Sequence, residues 1–403
     1  MKRGYKYRIY PTEEQKKYFD ICFAANRWFW NYALEKINKT YEETKEHLSA
    51  QNKVNRELPR LKNEENTSWL KQADSSSLIY TGINLDSAFK KFFKKQGGFP
   101  KYKSRRYDNS YTIQVQGCTD KDINWKNEEI RIGKAGILKA RLHRRFKGKI
   151  KSITVSKKSY DFYEISILVD DTTNKKELRQ FTEDGTIGID MGIKKDSNAI
   201  LSDGTVFNAV NLKKEEKRIK LLKKRLSKKS WIKTGEMKFS KKYNKEVEVK
   251  IPSKNYIKAK DKLAKLEDKV RRIRNYNTHQ ISSYVAKNDD INTVVIEDLN
   301  VNGMMQDHHM ANATSNANMG ELSRQLQYKC DWEGKRLKKV SRRFPSTQLC
   351  SCCGYKNEKL KGKKGLNIRQ WTCPVCGTHH DRDVNAAINI KNEGIRLISE
   401  AQQ

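Results

Sequence analysis

Residues 346–389 read STQLCSCCGYKNEKLKGKKGLNIRQWTCPVCGTHHDRDVNAAIN, and this stretch decides how the rest of the chain is understood. Two C-x2-C pairs, Cys350/Cys353 and Cys373/Cys376, stand nineteen residues apart. Two tight turns that each present two thiolates are what a tetrahedral zinc ion requires, so these four cysteines are expected to hold a structural zinc. Cys352 falls inside the first pair and reads as a bystander. His379 or His380 could replace a cysteine, but four thiolates already close such a site. Behind the second pair comes Asp381-Arg382-Asp383-Val384-Asn385-Ala386-Ala387, with Asp383 taken as the N-cap of a final helix and Asp381 as its neighbour. A carboxylate at a helix mouth beside a metal-braced ribbon suggests an enzyme acting on nucleic acid, and it directs attention to acids elsewhere in the chain.

Composition agrees with that class. The 403 residues carry 84 Lys+Arg against 48 Asp+Glu, a net charge of +36, and the usual partner of such a field is a polyanion. The charge recurs along the whole length, which favours a long groove over a basic tail. Hydrophobic residues make up 36%, enough for ordinary cores in two or three domains. Met1-Lys2-Arg3-Gly4-Tyr5-Lys6 contains no apolar signal region, and no run approaches the roughly 18 apolar residues of a membrane helix. The expected location is cytoplasmic, in a bacterium and associated with the nucleoid, with no membrane partner. Five of the eight cysteines lie at 350–376, while Cys22, Cys118 and Cys330 are scattered, so thiolate ligands and buried thiols are expected and disulfides are not.

In the first half, residues 4–10 alternate as a half-buried strand does. Pro11-Thr12-Glu13-Glu14-Gln15 then reads as a helix start, with Thr12 as cap and Gln15 closing the box. Phe19, Cys22, Phe23, Trp28, Phe29, Trp30 and Leu34 follow as core, base stacking being the lesser reading. A second helix ends at Gly97-Gly98-Phe99-Pro100. Lys101, Tyr102, Lys103, Arg105 and Arg106 come next and suit a phosphate backbone, with a solvated lysine loop as the equal alternative. From about 110 to 170 the period changes to two, which predicts a small antiparallel sheet or barrel into which 13–99 is inserted. Residues 170–175 read as a linker.

The second half opens on Thr186-Ile187-Gly188-Ile189-Asp190-Met191-Gly192, a short apolar strand closed by an acid, and Asp203-Gly204 then signals a hairpin. Residues 212–229 and 259–273 carry thin apolar stripes and predict a helical hairpin with a basic outer face. Residues 230–253 look like an extra loop, with Val247-Glu248-Val249 as a possible strand. Val294-Val295-Ile296-Glu297-Asp298 reads as a buried central strand ending in acids. The segment Met304–Met319 reads as a mobile loop with His308 and His309 in solvent. A helix at 322–332 and a strand at 336–340 lead into the cysteines.

Asp190, Glu297 and Asp383 therefore stand at strand ends or a helix start of one α/β unit. Hydrolysis of a phosphodiester by two metals needs such a set, because carboxylates must hold two Mg2+ about 4 Å apart, flanking the attacking and leaving oxygens. A ribonuclease-H-like sheet would bring these positions together. Any one of the acids alone is weak evidence; their order, and the D-x-N-A-A-x-N run behind the cysteines, is specific.

The motifs GIDMG at 188–192, VIEDL at 295–299, STQLC through Cys353-Gly354 and DRDVNAA at 381–387 resemble the TnpB family of transposon-encoded nucleases. Residues 8–15, 88–93 and 99–103 resemble its N-terminal half. The resemblance implies an α/β protein with added α and β modules. A wedge β-barrel would occupy 1–12 and 100–172, a helical recognition domain 13–99, a RuvC-like nuclease 183–345 and 378–403, and a zinc ribbon 346–377. It implies an RNA-guided, Mg2+-dependent DNA endonuclease that cuts guide-complementary duplex DNA beside a short adjacent motif, with a guide RNA and the target as partners. Asp190, Glu297 and Asp383 would bind two Mg2+, and Cys350, Cys353, Cys373 and Cys376 would bind Zn2+. Sequence reading delegated to a guide accounts for so much backbone-directed positive charge. Compact type V CRISPR effectors share this architecture, although 230–253 is longer than the connection expected in TnpB. Two other classes share these features: a DNA transposase using the same acids, for which no separate helix-turn-helix reader stands out, and a nuclease-dead binding module, which would lack an acid. One chain holds the whole acid set, so a monomer is expected.

Overall fold

A computed structural model describes the chain except residues 106–108, 115–121, 159, 172–175, 193–196, 230, 241–244, 366 and 402–403. Arg106, Cys118 and most of the expected linker therefore lie outside the described residues. The chain divides into two units, Met1–Asn174 and Lys175–Gln403.

In the first unit, β1 (Lys2–Tyr10) buries Tyr5, Tyr7 and Ile9 and exposes the residues between them, as its period of two requires. The helix α1 (Glu13–Thr44) starts with the expected reciprocal cap: Thr12 Oγ1 accepts the Gln15 N–H at 3.3 Å, and Gln15 Oε1 accepts the Thr12 N–H at 2.9 Å. Phe19, Cys22, Phe23, Phe29, Trp30 and Leu34 are buried, which makes the aromatic run core. The helices α2 (Leu58–Asn63) and α3 (Ser75–Phe93) follow. Buried Asn26 of α1 donates to Ser77 Oγ and accepts from Thr81 Oγ1 of α3, at 2.9 and 2.6 Å, so these three buried side chains satisfy one another.

Six strands come after these helices: β2 (Ser110–Gln114), β3 (Ile123–Asn124), β4 (Glu129–Ile132), β5 (Gly136–Arg141), β6 (Lys149–Lys157) and β7 (Tyr163–Asp170). With β1 they form an antiparallel sheet in the order β2-β6-β7-β1-β5-β4-β3. The first strand of the chain thus lies between two of the last.

The second unit begins with β8 (Thr186–Met191), β9 (Ala199–Leu201) and β10 (Val206–Phe207), turned at Gly204, whose φ is +87°. Next come α4 (Lys213–Ser227), β11 (Trp231–Ser240), β12 (Lys245–Pro252) and α5 (Lys254–Lys287). β11 and β12 pair as an antiparallel ribbon where an extra loop is expected, the possible strand at 247–249 lying within β12, and Gly235, at φ +78°, lies in the bulge between Lys233 and Met237. After β13 (Thr293–Glu297) come α6 (Val301–Gln306), α7 (Ala311–Ala317) and α8 (Met319–Glu333). The expectation of a mobile loop at 304–319 is therefore wrong. Asn300 Oδ1 caps Gly303 N at 3.2 Å, Asn318 takes φ +54° to turn α7 into α8, and Thr314, Ala317 and Met319 are buried. Asparagines that read as loop composition serve as helix caps and turns here. His308 and His309 are exposed, as expected.

The remaining elements are β14 (Arg336–Val340), α9 (Gly362–Gly365), β15 (Gln370–Thr372), β16 (His379–Asp381) and α10 (Arg382–Ser399). The main sheet runs β10-β9-β8-β13-β14, with β8, β13 and β14 parallel. One face packs Ile187, Ile189, Val294 and Ile296 against Ile281, Val285, Leu322 and Leu326 of α5 and α8. On the other face Val295 and Val340 meet Ile390 of α10. Helices on both sides explain why the two central parallel strands, β8 and β13, are buried along most of their length, while β14 at the sheet edge keeps Arg336, Lys338 and Lys339. No described helix is long and apolar enough to cross a membrane.

Candidate active site and metal centre

Parallel register sets two of the acids side by side. Ile189 of β8 pairs with Ile296 of β13, so Asp190 and Glu297 occupy neighbouring positions at the carboxyl ends of adjacent strands. The pleat turns Gly188, Asp190, Val295 and Glu297 to the face opposite Ile189 and Ile296. That face carries α10 in close approach. A Cβ on Gly188 would lie 2.2 Å from Ala387 O, and one on Gly394 would lie 2.4 Å from Val295 Cγ2. Asp383 precedes Ala387 by one turn and shares its side of the helix. Three acids from three elements thus meet at one sheet end. Their oxygens do not all come within 4.8 Å of one another; among the described residues only cysteine-containing groups are that close.

Glu297 is half-buried. Burial pushes its carboxyl above the ordinary range, and the Ser346 hydroxyl, donating to Oε1 at 2.6 Å, works against that shift. Arg382, also buried, donates from Nη1 to Gly365 O at 2.8 Å, and its Nε lies 3.5 Å from Asp383 Oδ1. Burial and then Arg369 lower its pKa, while the charges of Asp190 and Asp381 oppose them. A fixed cation thus stands among the acids.

The N-cap of α10 is Asp381, which corrects the expectation for Asp383. Asp381 Oδ1 accepts the N–H groups of Asp383 and Val384 at 2.9 and 3.1 Å. Both aspartates satisfy the cap preference in sequence, but β16 pairs Asp381 with Gln370 in extended conformation, and helical geometry begins only at Arg382. The carboxylate that serves the helix backbone is therefore not the one proposed for the active site.

The four expected zinc ligands come together. Cys350 Sγ lies 3.6 Å from Cys376 Sγ and Cys353 Sγ 3.6 Å from Cys373 Sγ, close to the ~3.8 Å edge of a tetrahedron with Zn–S bonds of about 2.3 Å. The two turns match. Gly354 N bonds to Cys350 O and Gly377 N to Cys373 O, both at 2.9 Å, and both glycines have positive φ, +74° and +72°. Soft donors in this geometry fit Zn2+, which would deprotonate the set. Cys352 is exposed. His380 lies with its Nε2 3.0 Å from Cys350 Sγ, a place for an N–H···S bond to a ligand rather than for replacing one.

Two asparagines of α10 were quoted in the sequence motif without a role. Asn385 and Asn389, one turn apart and buried, hold the segment that enters the first cysteine turn. Asn385 Nδ2 donates to Leu349 O at 2.6 Å, and its Oδ1 accepts the Ser351 N–H at 2.9 Å. Asn389 Nδ2 donates to Ser346 O and Leu349 O, both at 2.8 Å. Their i, i+4 spacing, interleaved with the buried Ala386, Ala387 and Ile390, was the available signal.

Of the basic candidates, Lys101, Tyr102 and Arg105 are exposed, Tyr102 at 57%. Lys103 is bound into the first unit. Its backbone pairs with the Asn31 side chain at 2.7 and 2.9 Å, and its Nζ sits 4.0 Å from the centre of the Trp30 ring. A groove of about 770 Å3 along α4 and α5 presents Lys213, Lys217, Lys220 and Lys223. Ile219, Val270, Glu216 and Glu267 share its lining, so it follows the seam of the two helices and is not the basic outer face expected of that hairpin.

A family model described as the Cas12f1-like TNB domain matches residues 320–390. A second, described as a helix-turn-helix domain, matches residues 1–46, where the structure has one strand and one long helix. A protein of Streptomyces pristinaespiralis named as an RNA-guided DNA endonuclease is 30% identical over 98% of this chain and 90% of its own length. InsQ of Escherichia coli K12, named likewise, is 29% identical over 99% of this chain and 94% of its own. Among solved structures, the protein of a Cas12f1–sgRNA–target DNA complex aligns with a TM-score of 0.54 and 15% identity, covering 97% of this chain and 99% of that one, a likeness of fold.

Proposed function

The chain belongs to the TnpB family of RNA-guided DNA endonucleases, and from that membership we propose that it cuts duplex DNA complementary to a bound guide RNA, beside a short adjacent motif, by two-metal hydrolysis in a RuvC-type site. The observation that carries the site assignment is the register of β8 and β13, which sets Asp190 beside Glu297 on the face covered by α10 and its Asp383. These are hard oxygen donors at one sheet end and fit Mg2+. Divalent ions held there supply stabilisation of charge on the attacking and leaving oxygens.

The protein's own contribution is placement. Asp190 and Glu297 are fixed by parallel strands buried on both faces, and Asp383 by the first turn of a helix packed directly on the β8 backbone. Arg382 offsets the charge of Asp383 and Asp190 while remaining tied to the Gly365 carbonyl. The ribbon is a closed structural site, since four thiolates leave no open position on zinc. The basic groove on α4 and α5, together with Lys101 and Arg105, supplies contacts to phosphates, and base pairing with the guide supplies sequence. We assign 1–12 and 100–172 to the wedge module, 13–99 to the recognition helices, 346–377 to the ribbon and 183–345 with 378–403 to the nuclease.

The test is to purify the full chain from its host, sequence the RNA that remains bound, and challenge the complex with matching and scrambled duplex DNA in Mg2+. Cleavage of the matching duplex alone, lost in Asp190→Ala and Glu297→Gln with RNA retained, is the expected result. Cutting without regard to the guide would overturn the reading, and joined rather than cut products would turn it to strand transfer. An RNA overlapping the gene's own 3′ end would mark a transposon guide, and one carrying CRISPR repeats would place the chain with the compact effectors.

A further inference from the structure

The geometry points to Ser346 as a positioning residue for Glu297. Its hydroxyl, supplied by the segment that leads into the zinc ribbon, sets the affinity of the nuclease site for divalent metal. The inference rests on the reading of Glu297 as a metal ligand.

Glu297 ends β13 on a flexible side chain. A carboxylate so placed needs a donor to select one rotamer. Ser346 provides that donor at 2.6 Å to Oε1, leaving Oε2 and the second lone pair of Oε1 for a cation. Ser346 is itself 5% exposed, and its backbone is fixed at both ends. Its N–H donates to Phe344 O at 2.9 Å, and its carbonyl accepts from Asn389 Nδ2 at 2.8 Å. The same Asn389 amide reaches Leu349 O, immediately before Cys350, so one buried side chain spans the strap from the acid's partner to the first zinc-ligand turn.

A hydroxyl with no role beyond satisfying a buried carboxylate would also bond to Glu297; the two cases differ in what happens to metal affinity. Zinc-saturated full-length protein is titrated with Mn2+ alone, followed by calorimetry and by the loss of the free-ion paramagnetic resonance signal, with zinc content measured in parallel. Ser346→Ala is expected to weaken Mn2+ binding about tenfold, as loss of an outer-sphere partner does, with zinc content unchanged. Ser346→Thr, which keeps the hydroxyl, is expected to stay within about threefold of the native chain. Mn2+ affinity unchanged in Ser346→Ala, in a protein where Glu297→Ala abolishes binding, overturns the positioning role and leaves the nuclease site standing. Equal weakening in the alanine and threonine variants also overturns it, by assigning the effect to packing. Mn2+ binding indifferent to both Asp190→Ala and Glu297→Ala overturns the site assignment and this inference with it.

Discussion

Asn385 donates from Nδ2 to Leu349 O across 2.6 Å and receives the Ser351 N–H on Oδ1 at 2.9 Å, so one buried amide of α10 grips the chain on both sides of Cys350. Asn385→Leu keeps the volume and removes both bonds. Leu349 O still accepts from Asn389, but the Ser351 N–H loses the partner that Asn385 gave it. An unmade hydrogen bond of this kind costs about 2 kcal/mol. Thermal unfolding should show the second unit destabilised by about that amount, and zinc should pass faster to a competing chelator. Unchanged melting and unchanged zinc release would show that α10 does not brace the ribbon.

Zinc content separates Cys352 from its neighbours. Cys350 and Cys373 are buried within the sulfur cluster, whereas Cys352 is exposed and shares a close group only with Cys350 and His380. Cys350→Ser and Cys373→Ser should each lose the bound zinc on dialysis and expose 346–381 to protease, because a structural site contributes directly to folding. Cys352→Ser should keep a full complement by elemental analysis. Loss of zinc in Cys352→Ser would move the site to the alternative Cys350–Cys352–His380 set.

What the sequence made legible, and what it did not, follows from the range of the signal. The Thr12–Gln15 cap, the Asp203–Gly204 turn and the C-x2-C turns are local, each specified within a few residues, and they appear as read. The acids were legible because strand ends and helix starts are local too, but their convergence depends on the parallel register of β8 and β13, which no short pattern encodes. The N-cap of α10 was misplaced because Asp381 and Asp383 satisfy the same local rule, and the pairing of Asp381 with Gln370 decides between them. The Met304–Met319 helices were missed for the opposite reason: their apolar content is thin, and their caps come from asparagines that read as loop. Ser346 stands in the STQLC motif, but nothing local gives its hydroxyl a partner, since that role depends on the glutamate 49 positions earlier.

The two lysines that flank Tyr102 should behave differently. Lys103 Nζ lies over the Trp30 ring at 4.0 Å, and its backbone is held by Asn31, while Lys101 is exposed. Lys103→Ala should destabilise the first unit by about 0.5–1 kcal/mol through the lost cation–π contact. Lys101→Ala should leave melting unchanged and reduce by about one the slope of log affinity for nucleic acid against log salt. Filter binding over a salt series, alongside thermal unfolding, distinguishes the two. An unaltered salt slope in Lys101→Ala would remove that residue from the phosphate-contacting set.

Lys335 makes the stability of the second unit depend on alkaline pH. It is 2% exposed and caps the end of α5, donating to Val285 O at 2.9 Å and to Asn288 O. Burial, helped by Arg179, lowers its pKa from 10.5 to about 8. Between those values the unfolded chain holds a proton that the folded chain has released, so this residue raises stability as pH climbs from about 8 to 10.5, and the gain is lost as pH falls back through 8. Lys335→Met removes the titrating group along with the cap. The variant should therefore be less stable than the native chain throughout, and its deficit should widen from pH 7.5 to pH 10. Urea unfolding at those two values checks the sign. A deficit that narrows with rising pH would mean that the buried ammonium keeps its proton, its charge stabilised by the α5 carbonyls more strongly than burial opposes it.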